Sequence, residues 1–217
     1  GTISNTSRLW RSVCYGNGMF VAVVYNSKYL AYSTDGINWT ESTIGDTNRN
    51  WVSVCYGNDK FVAVANNSIF AYMGINLVYY QFSGWDQSGN ITISSDVIIS
   101  GSWTKKELDY KWTENIITDA STDWIGLCYG NDKFITVAYN SNYFAYSTDG
   151  MNWTKGTLPS KGDWTSICYG NGMYVVVAHW DSNYAPYSAC STDGINWTLS
   201  RTSTNKYVEW NSICYGN

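Results

Sequence analysis

One pattern, Trp-x-x-x-Cys-Tyr-Gly-Asn, occurs five times in this chain of 217 residues. Internal repeats with a period of about 20–50 residues indicate arrays such as solenoids and propellers, because each copy is one supersecondary unit that packs on its neighbours. The repeat therefore restricts the chain to an array of similar units. The copies begin at Trp10, Trp51, Trp124, Trp164 and Trp210, at intervals of 41, 73, 40 and 46 residues.

Each repeat contains short runs rich in Val, Tyr and Phe that are separated by turn residues. In the first repeat we predict strands over 12–15, 20–24 and 29–32, and a fourth through Trp39 and Thr40. The Gly-Asn-Gly and Asn-Ser sequences between these runs are hairpin signals. No stretch shows a sustained helical period of 3.6 residues, so the sequence predicts an all-β fold.

The second strand of each repeat is apolar at consecutive positions, as in Phe20-Val21-Ala22-Val23-Val24. Such a strand is buried on both faces. The blades of a β-propeller are stacked face to face about an axis and bury both sides of each sheet, and four strands in about 40 residues match a blade. A β-sandwich is the alternative, but it would not give five near-identical units. We expect a single β-propeller domain over 1–217, built of four-stranded antiparallel blades.

The second repeat departs from the others, because 71–77 reads Ala-Tyr-Met-Gly-Ile-Asn-Leu where a polar turn is expected. The segment 79–111 that follows is either an insertion within this blade or a degenerate extra blade. We favour the insertion, because no new copy of the repeat opens there; 91–93 and 97–99 inside it are strand-like. The expected blades are 10–50, 51–123, 124–163 and 164–209, with a partial blade at 210–217.

Both ends of the chain fall inside a repeat. We therefore expect the chain to be part of a longer polypeptide, or its closure to be completed by something else. A blade shared between the two ends, with 79–112 supplying the missing strands, is the alternative.

Three repeats close with Ser-Thr-Asp-Gly-x-Asn-Trp-Thr, at 33–40, 147–154 and 191–198. At these residues the chain resembles the Asp-box, or BNR, repeat family of β-propellers, although its copies are one residue shorter than the family pattern. In such a turn Asp accepts hydrogen bonds from backbone N–H groups, Gly adopts a positive φ, and Trp covers the hairpin. We expect structural rather than catalytic or metal-binding roles for Ser33, Asp35, Gly36, Trp39, Ser147, Asp149, Gly150, Trp153, Ser191, Asp193, Gly194 and Trp197.

The cysteines do not suggest a disulfide framework. Equivalent positions on neighbouring blades are usually too far apart for the roughly 4.4–6.8 Å Cα separation of a disulfide. We predict reduced thiols that pack as small apolar groups. Without a Cys-x-x-Cys pair or a second histidine we expect no metal and no cofactor. Five of the six occupy the repeat position, namely Cys14, Cys55, Cys128, Cys168 and Cys214, and Cys190 lies outside it.

The loops that follow the second strands carry aromatic, amide and hydroxyl groups, which suit stacking on sugar rings and hydrogen bonding. The loops 25–29 and 139–143 both read Tyr-Asn-Ser-x-Tyr, and the single histidine opens a longer loop in the fourth repeat. Repeat-specific insertions often map to a binding face, but loops tolerate insertions freely, and we favour an ordinary surface loop for this longer segment. The candidate ligand-binding residues are Tyr25, Tyr29, Tyr139, Tyr143, His179, Trp180, Asp181 and Tyr184.

Charge and composition exclude several functions. The net charge of −4 and the pI near 4.8 argue against nucleic-acid binding, and no apolar run is long enough to insert into a membrane. Asp-box propellers include sialidases, which bind a substrate carboxylate with three arginines, so the resemblance raises the possibility of glycoside hydrolysis. This chain lacks their Arg-Ile-Pro motif, so we assign no catalytic residue. Its four arginines, which lie at linkers or repeat positions, are Arg8, Arg11, Arg49 and Arg201.

The repeats are also similar to arrays in bacteriophage tail or receptor-binding proteins and in bacterial surface proteins, although 79–123 fits poorly. This resemblance implies a non-catalytic recognition module on a virion or a bacterial cell surface. It would bind a glycan or another host-surface receptor and act with other subunits. A scaffold without a ligand is the alternative, and a sialidase-like glycoside hydrolase is the least favoured.

Overall fold

A computed structural model describes residues 8–68, 70–75, 78–85, 101–107, 111–118, 121–179, 187–201 and 209–216. Within these ranges all regular secondary structure is β, as the sequence predicts. The strands, in chain order, are β1 (Trp10–Gly16), β2 (Met19–Val24), β3 (Tyr29–Ser33), β4 (Thr40–Thr43), β5 (Asn50–Gly57), β6 (Lys60–Asn66), β7 (Phe70–Ile75), β8 (Val78–Trp85), β9 (Gly101–Glu107), β10 (Lys111–Ile116), β11 (Trp124–Gly130), β12 (Lys133–Ala138), β13 (Ser141–Ser147), β14 (Thr154–Gly170), β15 (Met173–His179), β16 (Tyr187–Ser191) and β17 (Thr198–Arg201).

The strands pair in antiparallel order along the chain. Repeat 1 is the four-stranded sheet β1-β2-β3-β4, and β11 to β17 form a seven-stranded sheet that contains repeats 3 and 4. The first part of β14 pairs with β13 and its second part pairs with β15. Strand β14 therefore closes repeat 3 and opens repeat 4.

The length of β14, 17 residues, differs from the short strands that the sequence predicts. Ser141 of β13 pairs with Gly162, which continues the ladder across the link between the two repeats. The pairing is irregular between Thr157 and Gly162, where Pro159 has no N–H to donate. The link is a strand because a neighbouring strand pairs with it, which local turn signals do not reveal.

Repeat 2 is a sheet of the order β10-β7-β6-β5, so its fourth strand is β10. Two corresponding ion pairs support the equivalence of β10 in repeat 2 and β4 in repeat 1. Arg8 contacts Glu41 of β4 at 3.1 Å, and Arg49 contacts Glu114 of β10 at 2.9 Å, in each case from two residues before the opening Trp. The insertion at 79–111 and the blade boundaries both stay predictions.

The segment Ile75–Lys111 forms a compact body of its own. Its two described strands, β8 and β9, are an antiparallel pair with an irregularity between Phe82 and Gly84. The strand-like segments 91–93 and 97–99 lie outside the described residues.

The turns between first and second strands confirm the hairpin signals. Both central residues have a positive φ: Asn17 and Gly18 at 48° and 73°, and Asn58 and Asp59 at 45° and 58°. Two positive φ values define the type I′ turn, whose twist matches that of the flanking strands. Asn, Asp and Gly occupy these positions because they tolerate the left-handed conformation.

The second strands form the core and are buried on both faces, as predicted. Residues 61–65 of β6 are all 0% exposed. The first strands pack side by side, β1 against β5, β5 against β11, and β11 against the second part of β14. The opening residues Trp51, Trp124 and Trp164 are fully buried.

Successive repeats meet through the Tyr and Gly of the repeated motif. A Cβ added to Gly16 would lie 2.0 Å from Cγ of Tyr56, and one added to Gly57 would lie 2.0 Å from Cγ of Tyr129. Each Tyr ring thus packs directly on the glycine of the preceding repeat. The remaining two contacts of this type join Gly130 to Tyr169 and Gly170 to Tyr215.

The six cysteines are free thiols. Burial raises the pKa of the Cys14 thiol to about 12 and raises the pKa of the fully buried Cys55 thiol well above its usual value. Because the thiolate is the reactive form, these two groups are poor nucleophiles.

Candidate functional site

The loops after the second strands are anchored in the same way in three repeats. In repeat 1, Ser27 and Arg49 exchange backbone hydrogen bonds of 3.0 and 3.1 Å. In repeat 2, Ser68 and Thr122 do the same, and in repeat 3 Ser141 pairs with Gly162. The second residue of each pair lies two positions before the Trp that opens the next repeat. The loops therefore occupy equivalent places at one end of the sheets.

The two Tyr-Asn-Ser-x-Tyr loops share their local geometry. The Ser27 hydroxyl accepts a hydrogen bond of 3.0 Å from the Tyr29 N–H, and Ser141 accepts one of the same length from Tyr143. Asn26 and Asn140 have φ values of 51° and 46°. Asn tolerates this conformation and Ser closes the turn, so the repeated sequence gives a repeated shape.

A cleft of about 450 Å³ lies at the loop of repeat 1 and contains both of its candidate tyrosines. Cations pack on these rings: the guanidinium carbon of Arg8 is 4.6 Å from the Tyr29 ring centre, and that of Arg11 is 5.0 Å from the Tyr25 ring centre. The cleft is lined by Arg8, Leu9, Val24, Tyr25, Asn26, Ser27, Tyr29 and Asn48.

The ion pair at the edge of this cleft leaves polar atoms without partners. Arg8 Nη2 donates to Glu41 Oε2 at 3.1 Å. Arg8 Nη1 and Glu41 Oε1 are buried and have no hydrogen-bond partner among the described residues. Buried polar groups are usually paired, so these two atoms are exceptions within the described residues.

The candidate tyrosines of repeat 3 are more exposed. Tyr139 and Tyr143 are 42% and 37% exposed. The ammonium of Lys155 lies 3.5 Å from the centre of the Tyr143 ring, which fixes one face of the ring by a cation–π contact. Tyr139 is held through its backbone N–H, which donates to the Asp123 carbonyl at 2.8 Å. Repeat 2 lies between this loop and that of repeat 1.

His179 ends β15 and contacts two acidic residues that the sequence did not single out. Its Nε2 lies 3.5 Å from Glu209 Oε2, and it pairs with Asp163 across the strands. Asp163 is 5% exposed, and its Oδ1 has no partner in the described part of the chain. Each acid directly precedes an opening Trp, which is a signal that sequence analysis could have used. The candidates Trp180, Asp181 and Tyr184 lie outside the described residues.

The Ser-Thr-Asp-Gly turns use their carboxylates internally. Asp35 Oδ1 accepts from the Ile37 and Asn38 N–H groups at 2.8 and 2.7 Å, and Oδ2 accepts from the Asn38 side chain at 2.7 Å. Ser33 Oγ accepts from the Gly36 N–H at 2.9 Å. The turns at Asp149 and Asp193 repeat the carboxylate contacts. This geometry gives each side chain a structural task.

These hydrogen bonds stabilise the ionised carboxylates. Hydrogen bonds from the Asn38 and Ile37 N–H groups hold the pKa of Asp35 well below its usual range, and those from Asn196 and Ile195 do the same for the pKa of Asp193. Burial opposes the shift at Asp149, but hydrogen bonds led by the Asn152 N–H still lower its pKa.

A second cleft, of about 550 Å³, was missed by sequence analysis. It lies between the third Ser-Thr-Asp-Gly turn and the first part of β14. Its lining is Phe144, Tyr146, Ile195, Asn196, Trp197 and residues 154–159. The cleft depends on residues of two repeats that are about 40 positions apart, so no local motif indicates it.

The described residues contain no cluster of three or more His, Cys, Asp or Glu side chains that could hold a metal ion. They also contain no helix long and apolar enough to cross a bilayer.

Comparison of the sequence with known proteins gave no family: no family model matches the chain, and no curated protein does either. Solved structures do match it, all of the following at low sequence identity.

A streptogramin B lyase matches 99% of this chain at 13% identity with a TM-score of 0.71. Virginiamycin B lyase from Staphylococcus aureus matches 93% of this chain at 11% identity with a TM-score of 0.67. YCF48 bound to a D1 peptide matches 91% of this chain at 10% identity with a TM-score of 0.54. The matched regions cover 61%, 58% and 54% of those chains, so this chain spans somewhat over half of their length. These likenesses show a β-propeller fold.

Proposed function

We propose that the chain is a non-catalytic β-propeller module that recognises carbohydrate through the loops after its second strands. Its blades would be four-stranded, closed by Asp-box turns. The observation that carries the proposal is the duplicated Ser-x-Tyr loop, which presents an aromatic ring beside amide and hydroxyl groups in repeats 1 and 3. Aromatic faces stack on the C–H faces of sugar rings, and neighbouring polar groups fix their hydroxyls.

The cleft of repeat 1 offers the fuller site. Tyr25 and Tyr29 supply aromatic surface, and Asn26 and Asn48 supply hydrogen-bonding groups in the same cleft. A multivalent glycan that occupies several such shallow sites at once would bind with a higher overall affinity than a single site provides.

The arginines argue against the sialidase-like alternative. Arg8 and Arg49 pair with Glu41 and Glu114, and Arg11 packs on Tyr25. Arginines used in this way are not free to grip a substrate carboxylate together. The same recognition role fits a phage tail or a bacterial surface assembly whose ligand is a cell-surface glycan or another host receptor.

The proposal is tested on a glycan array, followed by titration calorimetry with the best ligand. We expect Tyr29→Ala and Tyr143→Ala each to weaken binding about tenfold, which corresponds to about 1.4 kcal/mol. Met151→Ala is the matched control for Tyr143→Ala, since Met151 is similarly exposed, at 42%, but lies in a turn at the opposite end of its sheet. A folded chain that binds no glycan would favour the scaffold, and turnover of a fluorogenic sialoside would favour the hydrolase.

A further inference from the structure

A lysine lies against the second tyrosine of both Tyr-Asn-Ser-x-Tyr loops. The ammonium of Lys28 is 5.5 Å from the centre of the Tyr29 ring, and that of Lys155 is 3.5 Å from the centre of the Tyr143 ring. Neither lysine forms an ion pair within the described residues. A cation–π contact positions an ammonium without neutralising its charge, so both lysines can still bind an anion.

The two lysines come from different elements of their repeats. Lys28 belongs to the loop itself, where repeat 3 has Asn142, and Lys155 belongs to β14, at the position that Glu41 holds in β4. The repeat pattern therefore does not supply a lysine at either position. The shared cation is a property of these two loops and not of the blade framework.

Both clefts have a cation as the one charged residue of their described lining. It is Arg8 in the cleft of repeat 1 and Lys155 in the second cleft. This polarity is opposite to that of the chain, which has 17 acidic and 13 basic residues. Glu41 pairs with Arg8, so the cations that keep their charge are Lys28, beside the first of these clefts, and Lys155. Charge complementarity thus favours an anionic ligand at these loops.

The second cleft adds the groups that recognise sugars. The rings of Tyr146 and Trp197 line it and are half-buried, and the exposed Thr154 contributes a hydroxyl. Aromatic rings beside hydroxyl groups suit the faces and hydroxyls of a sugar. Because Lys155 lines this cleft and also contacts Tyr143, it links the cleft to the loop of repeat 3.

We propose that the ligand is an acidic polysaccharide, whose sulfate or carboxylate groups bind Lys28 beside the cleft of repeat 1 and Lys155 in the second cleft. The inference rests on the proposed carbohydrate recognition and adds to it the charge of the ligand and a second site. Each tyrosine ring already holds its ammonium in place, so less side-chain freedom is lost when the anion binds. Binding should weaken as the ionic strength rises, because the charges lie at the surface.

The test is titration calorimetry of the whole chain with dextran sulfate, alginate, neutral dextran and polyglutamate. Dextran sulfate and alginate carry sulfate and carboxylate groups on sugars, whereas dextran lacks the charge and polyglutamate lacks the sugar. We expect at least one of the two acidic polysaccharides to bind more tightly than dextran and polyglutamate do. The tighter of the two identifies the anionic group that the lysines prefer.

Substitutions of the lysines make the test specific. Lys28→Gln and Lys155→Gln should each weaken binding of the acidic polysaccharide about fivefold, which corresponds to about 1 kcal/mol per lysine. Lys155→Arg keeps the charge and should bind like the wild type. Lys133→Gln is the matched control, because Lys133 also forms no ion pair within the described residues but begins β12, at the opposite end of the same repeat.

The outcomes separate this inference from the proposed function. Dextran that binds as tightly as the acidic polysaccharides would overturn the inference and leave carbohydrate recognition standing. Polyglutamate that binds as tightly as they do, or folded Lys28→Gln and Lys155→Gln variants that bind like the wild type, would also overturn it. If none of the three polysaccharides binds, the inference fails, and a glycan array without a ligand would remove the proposed function as well.

Discussion

The junctions between repeats and the loops after the second strands come from the same sequence repeat, but they differ in what surrounds them. At a junction, Tyr129 packs on Gly57 so closely that no side chain fits on that glycine. In a loop, Tyr139, the residue directly after β12, is 42% exposed. The difference teaches that a repeated residue is fixed by packing where a neighbouring repeat covers it, whereas the loops after the second strands occupy the accessible rim.

The buried Trp of a junction gives the largest expected effect. Trp124 is 0% exposed and packs in a cluster with Val62 and Phe134, so Trp124→Ala should lower the free energy of unfolding by about 3–5 kcal/mol. Trp210 holds the same repeat position but is 38% exposed, so Trp210→Ala should cost about 1 kcal/mol or less. Chemical denaturation measures both. Equal losses would mean that position in the repeat, and not burial, sets the effect.

The junction glycine comes next. In Gly130→Ala the added Cβ would lie 2.1 Å from Cγ of Tyr169, so the ring must move, and we expect a loss of about 1–3 kcal/mol. Gly216→Ala is the control, because no atom lies within 4 Å of the added group. The double variant Gly130→Ala/Tyr169→Ala should lose less than the sum of the two single changes, since one change removes the collision made by the other. Strict additivity would contradict the contact.

A single hydrogen bond across a junction has a smaller effect. The buried Tyr174 hydroxyl donates to the Gly130 carbonyl of the preceding repeat, so Tyr174→Phe should cost about 1 kcal/mol in thermal or chemical unfolding. Tyr15→Phe removes a hydroxyl from a ring that is 60% exposed and should change stability by less than about 0.5 kcal/mol. If Tyr174→Phe is as stable as the wild type, this hydrogen bond does not stabilise the junction.

Much of the architecture within each repeat could be predicted from sequence, because it depends on local signals. The Asn and Gly or Asp residues of the first turns predict type I′ hairpins, and Asn17 and Gly18 adopt the positive φ values required. The consecutive apolar residues of the second strands predict burial on both faces, which residues 61–65 show.

Contacts between distant segments could not be predicted in the same way. The sequence placed Tyr and Gly side by side in the motif, but only the structure shows that Tyr169 packs on Gly130 of another repeat. The same reason explains why Asp163 and Glu209 were not selected beside His179. A repeat pattern determines the secondary structure within each repeat, whereas the contacts of a side chain with other repeats depend on how the repeats stack.

The Ser-Thr-Asp-Gly turns sharpen the comparison, since they are repeated in sequence but exposed. Their folded-state pKa values are lowered below the unfolded value of about 3.9, so they stabilise the fold above about pH 4 and lose that effect as the pH falls further. The variant Asp35→Asn/Asp149→Asn/Asp193→Asn should be less stable than the wild type at pH 7. It should also lose less stability between pH 5 and pH 3. Parallel pH profiles of denaturation midpoints would contradict this role.

The smallest effect on stability is expected at the loop that carries Tyr139. Because this ring is 42% exposed and the substitution keeps the backbone hydrogen bond to Asp123, Tyr139→Ala should change the free energy of unfolding by no more than about 0.5 kcal/mol. Tyr169→Ala, at a junction, should cost several times more in the same assay. If Tyr139→Ala is neutral for folding yet lowers glycan binding, the duplicated loop is explained by recognition. If it destabilises the chain as much as Tyr169→Ala does, the loop belongs to the packing framework and the distinction between junction and rim fails.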